Sequence, residues 1–242
     1  MIGCQCEVCR SSDPRDKRTR PSVIISYDDQ QVLVDTTPEL RIQCLANQVQ
    51  RITAIVVTHG HADHIMGLDD VRRFNAIMNT SLDVWANEPT HAALKRCFGY
   101  AFKEPDPAEL LFRPRLVPRL IEGPFTIGSQ QWTPIPLLHG SMPVLGFRVG
   151  SIAYCTDVSS IPESSYELLQ GLDVLVLDAL QHRRHTTHFS IEEATEASRR
   201  IGAKQTYFTH IAHALGHEQT NAMLPPNMQL AYDGLVVRGR AS

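Results

Sequence analysis

The segment Thr58-His59-Gly60-His61-Ala62-Asp63-His64 constrains this chain more than any other. It follows the apolar run Ala54 to Val57, so a polar cluster sits where a buried strand emerges at the surface. Four metal-binding side chains meet there. Histidines at i and i+2 in an extended or turning segment can converge on one ion, while Asp63 and His64, starting the next helix, can reach a second ion beside it. A lone histidine is more often a packing or surface residue, but a whole H-x-H-x-D-H string after a β-type run points to metal.

Runs of strand length recur at Val23 to Tyr27, Gln31 to Asp35, Thr53 to Val57, Leu82 to Trp85, Trp132 to Leu138, Val144 to Val149, Ile152 to Thr156, Asp173 to Asp178 and Gln205 to Thr209. Helical patterns lie between several of them. In Ser190 to Gly202, Ser190 and Glu193 form a capping-box pair, Ile191, Ala194, Ala197 and Ile201 share a face, and Gly202 suits the C-terminal stop. Pro38 to Val49 and Glu88 to Tyr100 also read as helices. Lys103 to Pro124, broken by Pro105, Pro107, Pro114 and Pro118, reads as an irregular connection. No low-complexity linker or repeat divides the chain, so one α/β domain over residues 1–242 is expected, its sheets covered by helices.

Three more donors share the strand-end placement: His139, Asp157 and His210 each end a β-type run. With the first cluster they make seven imidazole or carboxylate donors, the number two adjacent ions need when one carboxylate bridges them. Asp35, ending its run before Thr36-Thr37, has two readings. It hydrogen-bonds a metal-binding imidazole from behind, fixing its tautomer, or it caps the helix from Pro38.

With 43% hydrophobic and 20% charged residues the chain can bury a sizeable core, which excludes global disorder. Lys and Arg number 23 against 26 Asp and Glu, a formal charge of -3, so there is no global electrostatic reason to bind a polyanion, while a small anionic substrate remains compatible. No apolar run approaches the roughly 18 residues a membrane span needs, and Met1-Ile2-Gly3-Cys4 does not open a leader, so a cytoplasmic chain with no membrane partner is expected. Cys4, Cys6 and Cys9 crowd together while Cys44, Cys97 and Cys155 are scattered; in a cytosolic chain the cluster reads as metal ligands. Tetrahedral zinc normally takes four donors, and His213, three residues after His210, can supply the fourth.

The order H-x-H-x-D-H, then His, Asp and His, resembles the metallo-β-lactamase superfamily over most of the chain. The resemblance implies an αββα four-layer sandwich with His59, His61 and His139 on one metal, Asp63, His64 and His210 on the other, and Asp157 bridging. A bridging aspartate is typical of the superfamily's phosphodiesterases and nucleases. The pairing of C-x-C-x-x-C at Cys4 to Cys9 with Thr209-His210-Ile211-Ala212-His213 resembles the PhnP-type phosphodiesterases more specifically. That resemblance implies a structural zinc on Cys4, Cys6, Cys9 and His213, and hydrolysis of a small cyclic phosphodiester by hydroxide held on two manganese or zinc ions. It also implies a homodimer.

It further places His188, just ahead of the Ser190 helix, as the group that protonates the leaving oxygen or stabilises phosphoryl charge, with Asp63 in the same catalytic set and His185 as rival for the role. His182, His91 and His217 read as surface or packing residues. Lys95, Arg96, Tyr100, Phe102 and Lys103 are candidates for holding a sugar phosphate, or equally for an exposed amphipathic helix. Relatives of this group carry an opening strand and Gly-rich turn before the cysteines, which Met1-Ile2-Gly3 does not match, so the first strand of the fold is expected to be missing. An RNase Z-like nuclease and a non-catalytic metal-binding accessory protein are the competing expectations. The net charge, and the lack of a basic Gly/Pro-rich arm for clamping tRNA, weigh against nucleic acid as a partner.

Overall fold

The computed structural model describes residues 1–104 and 112–240, so Pro105 and Pro107 of the expected irregular connection lie outside the described residues. The chain forms two compact units, one of Arg20–Ser129 and one of Met1–Thr19 with Gln130–Ser242. The N-terminal arm carries a single α-helical turn, α1 (Glu7–Arg10), and a 3-10 turn at Pro14–Asp16, neither with a buried residue.

In Arg20–Ser129, β1 (Val23–Tyr27), β2 (Gln30–Val34), β3 (Ala54–Val56), β4 (Leu82–Ala86) and β5 (Leu116–Leu120) form a sheet in that order. The β1–β2 pair is antiparallel and the other pairs are parallel. Ala54–Val56 is buried throughout, as befits an apolar run in a parallel sheet covered on both faces. Between the strands come α2 (Leu40–Ala46), α3 (Ala62–Ile65), α4 (Arg72–Met78) and α5 (Glu88–Phe98), and β6 (Phe125–Ile127) follows. Leu33, Ile55, Val57, Leu82, Val84 and Leu94 belong to this unit's core.

Two expectations need correction here. The helix expected over Pro38 to Val49 is only α2, because it buries Leu40 alone and leaves Ile42 and Leu45 exposed; Gln48 turns left-handed at φ 52. The expected irregular connection contains β5. Among the described residues this strand lies at the sheet edge, paired with β4, and Pro118 sits opposite Val84 where its missing N–H is tolerated.

In the other unit, β7 (Gln130–His139), β8 (Met142–Val149), β9 (Ile152–Cys155), β10 (Val174–Asp178), β11 (Gln205–Thr209) and β12 (Met228–Leu230) lie side by side in the order β12-β11-β10-β9-β8-β7. β9 to β12 are parallel neighbours as far as they pair, whereas β7–β8 and β8–β9 are antiparallel. β7 therefore runs in the same direction as β9. Three helices complete the unit: α6 (Glu163–Leu168), α7 (Ile191–Ile201) and α8 (His217–Asn221). α7 starts at the Ser190/Glu193 capping box and ends at Gly202 with φ 73. Leu137, Val144, Ala153, Leu175, Leu177 and Phe208 pack in this unit's core beneath Ala194, Ala197 and Ile201 of that helix. No helix among the described residues is long and apolar enough to cross a membrane.

Candidate metal centre

Parallel pairing brings Val34 level with Val56, so the residues leaving β2 and β3 meet at the carboxyl ends of the strands, where open parallel sheets bind ligands. Asp35, fully buried with φ 64, accepts the Thr58 backbone N–H on Oδ1 and the Thr58 hydroxyl on Oδ2, each at 2.8 Å. The same Oδ2 lies 2.8 Å from His64 Nδ1, which donates to it. Since the Thr58 hydroxyl proton is spent on Asp35, its oxygen accepts from His59 Nδ1 at 3.0 Å. One carboxylate thus sets both imidazoles with Nδ1 protonated and Nε2 as the lone-pair nitrogen, the tautomer a metal requires.

Of the two readings of Asp35, the structure gives the first: α2 starts from Glu39, without a side-chain cap. Between the histidines, Gly60 is dictated by packing, because a Cβ there would sit 2.6 Å from Ala93 Cβ of α5. The His59 ring lies 4.6 Å from that of His61 and 4.3 Å from that of His64, and Asp63 Oδ2 is 3.5 Å from His64 Nε2. Asp35→Asn turns an acceptor into an amide donor facing donors already in place. Metal titration of that variant is expected to show affinity about ten- to a hundredfold weaker; unchanged affinity would deny Asp35 the role.

In the other unit, β7, β9, β10 and β11 deliver His139, Asp157, Asp178 and His210 to one edge. Asp157 and His210 stand just past their strands, both at φ 55. Asp157 is the centre of the group: its carboxylate lies 3.5 Å from His210 Nε2, 3.9 Å from His139 Nε2 and 4.0 Å from His188 Nε2, and it accepts the Thr156 hydroxyl at 2.8 Å. His139 Nδ1 donates to the Thr187 carbonyl at 2.6 Å, again leaving Nε2 as the lone-pair atom. His188, nearly buried, donates from Nδ1 to Asp178 Oδ2 at 2.8 Å, and Val158 N–H holds the same oxygen at 2.7 Å. Its ring stacks on His210 at 4.5 Å. Burial pushes the Asp178 carboxyl above the usual carboxylate range, opposed by the hydrogen bond from His188.

Asp178 is a candidate site residue that sequence reasoning missed. The signal was available, since Asp178 ends an apolar β run as Asp157 does. His185, the rival to His188, is exposed, with its ring 5.3 Å from that of His188. His91 and His217 are buried and His182 is exposed, in keeping with packing and surface roles.

A second cluster lies in the same unit. The sulfur atoms of Cys4, Cys6 and Cys9 and a nitrogen of His213 all lie within 4.8 Å of one another, a donor set that suits tetrahedral zinc. His213 Nδ1 is 3.5 Å from Cys4 Sγ and 3.4 Å from Cys6 Sγ. The His213 contact and the Cys9 backbone N–H bring the Cys6 thiol down to about 6, whereas burial pushes Cys155 up to about 12 and marks it as a core residue.

The profile of the β-lactamase superfamily domain matches residues 30–211, and the chain belongs to that superfamily; its two sheets with helices are the metallo-β-lactamase fold, its class that of metal-dependent hydrolases. Within it the protein is PhnP-like. The solved structure of a diphosphatase of the PhnP family is 45% identical, with a TM-score of 0.89 over 97% of this chain and 89% of that one. Zinc-bound PqqB of Methylobacterium extorquens (19% identical, TM-score 0.73, 97% of this chain and 93% of that) and the short form of human tRNase Z (18%, 0.69, 90% and 92%) share the fold. An octanoyltransferase of Porphyromonas gingivalis is 33% identical over 238 residues, 97% of this chain but 48% of that protein, so the chain spans about half the length of the curated relative it matches.

Proposed function

We propose that this chain is a metal-dependent phosphodiesterase that hydrolyses a small cyclic phosphodiester, a phosphoribosyl cyclic phosphate or a molecule like it. The observation that carries the reading is Asp157 with the imidazoles of His139, His188 and His210 around it and Asp178 behind His188. The superfamily pattern assigns His59, His61 and His139 to one ion, Asp63, His64 and His210 to a second, and Asp157 to both. Bound there, divalent manganese or zinc would lower the pKa of water and polarise a phosphoryl oxygen. The chain's own residues do the rest. Asp35 and the Thr187 carbonyl fix the tautomers of the imidazoles, and His188, oriented by Asp178, protonates the leaving oxygen. Cys4, Cys6, Cys9 and His213 are assigned a structural zinc.

The diphosphatase name of the 45% relative favours a second reading, cleavage of a P–O–P anhydride, in which the same His188 protonates a phosphate leaving group. Octanoyl transfer is not carried over from a relative of which this chain spans about half. The reading takes a small phosphorylated molecule as substrate, with neither a membrane nor nucleic acid as partner, in a cytoplasmic protein able to form a homodimer. It is tested by elemental analysis of protein purified without added metal, together with hydrolysis of bis(4-nitrophenyl) phosphate after manganese loading. Two ions in the active site, one zinc besides, and turnover at phosphorus are expected. Fully metallated protein without turnover would favour the accessory role, and a gel shift with precursor tRNA would favour the nuclease.

A further inference from the structure

Just before His139, β7 is met by the segment that follows Asp157. Leu138 and Ser160 form an antiparallel bridge there: the Leu138 N–H donates to the Ser160 carbonyl at 3.0 Å, and the Leu138 carbonyl accepts the Ser159 N–H at 2.8 Å. The residue between Asp157 and this bridge is tied to the other imidazole. The Val158 N–H donates to Asp178 Oδ2, the oxygen that also holds His188, and the Val158 carbonyl accepts the Phe189 N–H at 2.6 Å. These are backbone bonds, which any residue but proline can make.

Ser159, partly buried, is different because its side chain takes part. Its hydroxyl accepts the Gly140 N–H at 2.8 Å and donates to the Leu138 carbonyl at 3.1 Å. A hydroxyl has one proton to give and lone pairs to receive, so both bonds form at once. Leu138 and Gly140 flank His139, and one oxygen therefore clamps the backbone before and after the imidazole. The turn is also packed tightly. Gly140, at φ 63, lies so close to Thr187 that a Cβ would stand 3.0 Å from its Cγ2, and the Thr187 carbonyl accepts from His139 Nδ1. Thr187 holds the ring of His139 while Ser159 holds its backbone.

We propose that Ser159 is a positioning residue that fixes the separation of His139 and Asp157, whose Nε2 and Oδ2 lie 3.9 Å apart, for joint use on one ion. The inference rests on the metal assignment made above and deepens it by naming what sets two of the donors against each other. Donors on different strands serve one ion only when their spacing is held to within about 0.5 Å. β8 lies between β7 and β9, so the sheet ladder relates the ends of those two strands only through it. The Ser159 hydroxyl joins the ends directly, from two residues past Asp157 to both sides of His139. In this role it transfers no proton and binds no substrate.

The test is a calorimetric titration of wild type, Ser159→Ala, Ser159→Thr and Ser198→Ala with manganese, a hard cation that leaves the thiolate cluster to zinc. The paramagnetic resonance spectrum of each loaded sample reports the geometry of its ligands. Ser159→Ala is expected to bind manganese about threefold to tenfold more weakly, below the ten- to hundredfold effect of a group that bonds the imidazole itself, and to show an altered spectrum. Ser159→Thr, which keeps the hydroxyl, restores both. Ser198→Ala removes a buried hydroxyl elsewhere in the same unit, one that lies 2.6 Å from Thr206 Oγ1. It is expected to lower Tm and to leave affinity and spectrum alone. Wild-type affinity and spectrum in Ser159→Ala overturn the proposal, as does an equal change in Ser198→Ala. Turnover of bis(4-nitrophenyl) phosphate is followed on the same samples at saturating manganese. If wild type binds the metal without turnover while Ser159→Ala still binds it more weakly with an altered spectrum, the hydrolase reading falls and the positioning role stands. If all variants turn over and bind alike, the hydrolase reading stands and the role falls. A wild type that takes up no manganese overturns both.

Discussion

Replacing His188 by alanine is expected to lower kcat for a phosphodiester by about two to four orders of magnitude, the usual worth of a positioned proton donor, and to leave the metal content of the protein unchanged. The way the imidazole is held supports the proposed role. Its Nδ1 is spent on Asp178, so the ring turns Nε2 toward Asp157, 4.0 Å away. His185 is not placed to take over, since its Nδ1 accepts from Thr187 and its ring is an exposed neighbour 5.3 Å from that of His188. Asp178→Asn keeps the shape and an oxygen that can accept from His188 Nδ1 but loses the carboxylate charge behind the ring, and about a ten- to hundredfold loss in kcat is expected for it, smaller than that of His188→Ala. Circular dichroism and metal content tell positioning from structural damage: Asp178→Asn protein that keeps both and still loses kcat has lost the support of the ring, whereas a merely unstable protein loses them together. A His188→Ala enzyme with wild-type kcat removes the residue from the mechanism. One that has lost an ion makes it a ligand instead, an outcome the geometry admits because donor atoms of Asp178, His188 and His210 lie within 4.8 Å of one another.

The Asp178–His188 pair also shows where sequence reading stops. His59, His61, Asp63 and His64 stand out because four donors fall in one short string, and His139, Asp157 and His210 because each ends a β-type run. Asp178 has the same placement but no neighbour of metal-binding type, and its meaning comes from an imidazole ten residues on that the loop folds back to it. Asp35 had two readings that only the parallel register of β2 and β3 separates, since that register, set by pairing across 22 positions, is what brings Asp35 to Thr58. The α7 helix was legible because cap, apolar face and terminal glycine all agree within one segment. β5 was hidden by its proline, and β12 by being three residues long.

Three site residues, Asp35, Asp157 and His210, share a left-handed backbone, with φ of 64, 55 and 55. For a residue with a Cβ this costs about 1–2 kcal/mol each, and nothing in the local sequence requires it. Asp35 and His210 stand directly after the last residue of a strand, and Asp157 one residue further on, after Thr156. Such strain persists where the surroundings hold it and tends to collect at functional sites. Here Asp35 is held by three donors, while the Thr156 hydroxyl supports Asp157. The local cost and the positioning of the donors are therefore one feature.

Removing the zinc proposed for the Cys4, Cys6, Cys9 and His213 cluster is expected to free the N-terminal arm. With α1 only one turn long and burying no residue, the arm has almost no apolar contribution to its own order. What fastens it is polar: Asp16 accepts the His217 N–H at 2.8 Å and pairs with Arg18 at 3.0 Å, Asp233 accepts both the N–H and the hydroxyl of Thr19, and Gln219 donates to Glu7. The exposed ones among these contacts contribute up to about 1 kcal/mol each, whereas a structural zinc site contributes folding free energy outright. Chelation, or the pair Cys9→Ser with His213→Ala, is therefore expected to cost about 4 kcal/mol, roughly 10 °C in Tm for a chain of this size, and to open Met1–Thr19 and α8 to hydrogen exchange before the sheets. The change reaches further, because His213 lies three residues past His210 and next to Ala212, which is anchored to the Leu180 carbonyl at 2.8 Å. With His213 released, that backbone anchor alone holds the segment after His210. The double variant is then expected to bind active-site metal less tightly as well as losing its zinc. Unaltered exchange in the arm with one zinc fewer per chain would show that the polar fastenings suffice and that the cluster does not hold this end of the fold.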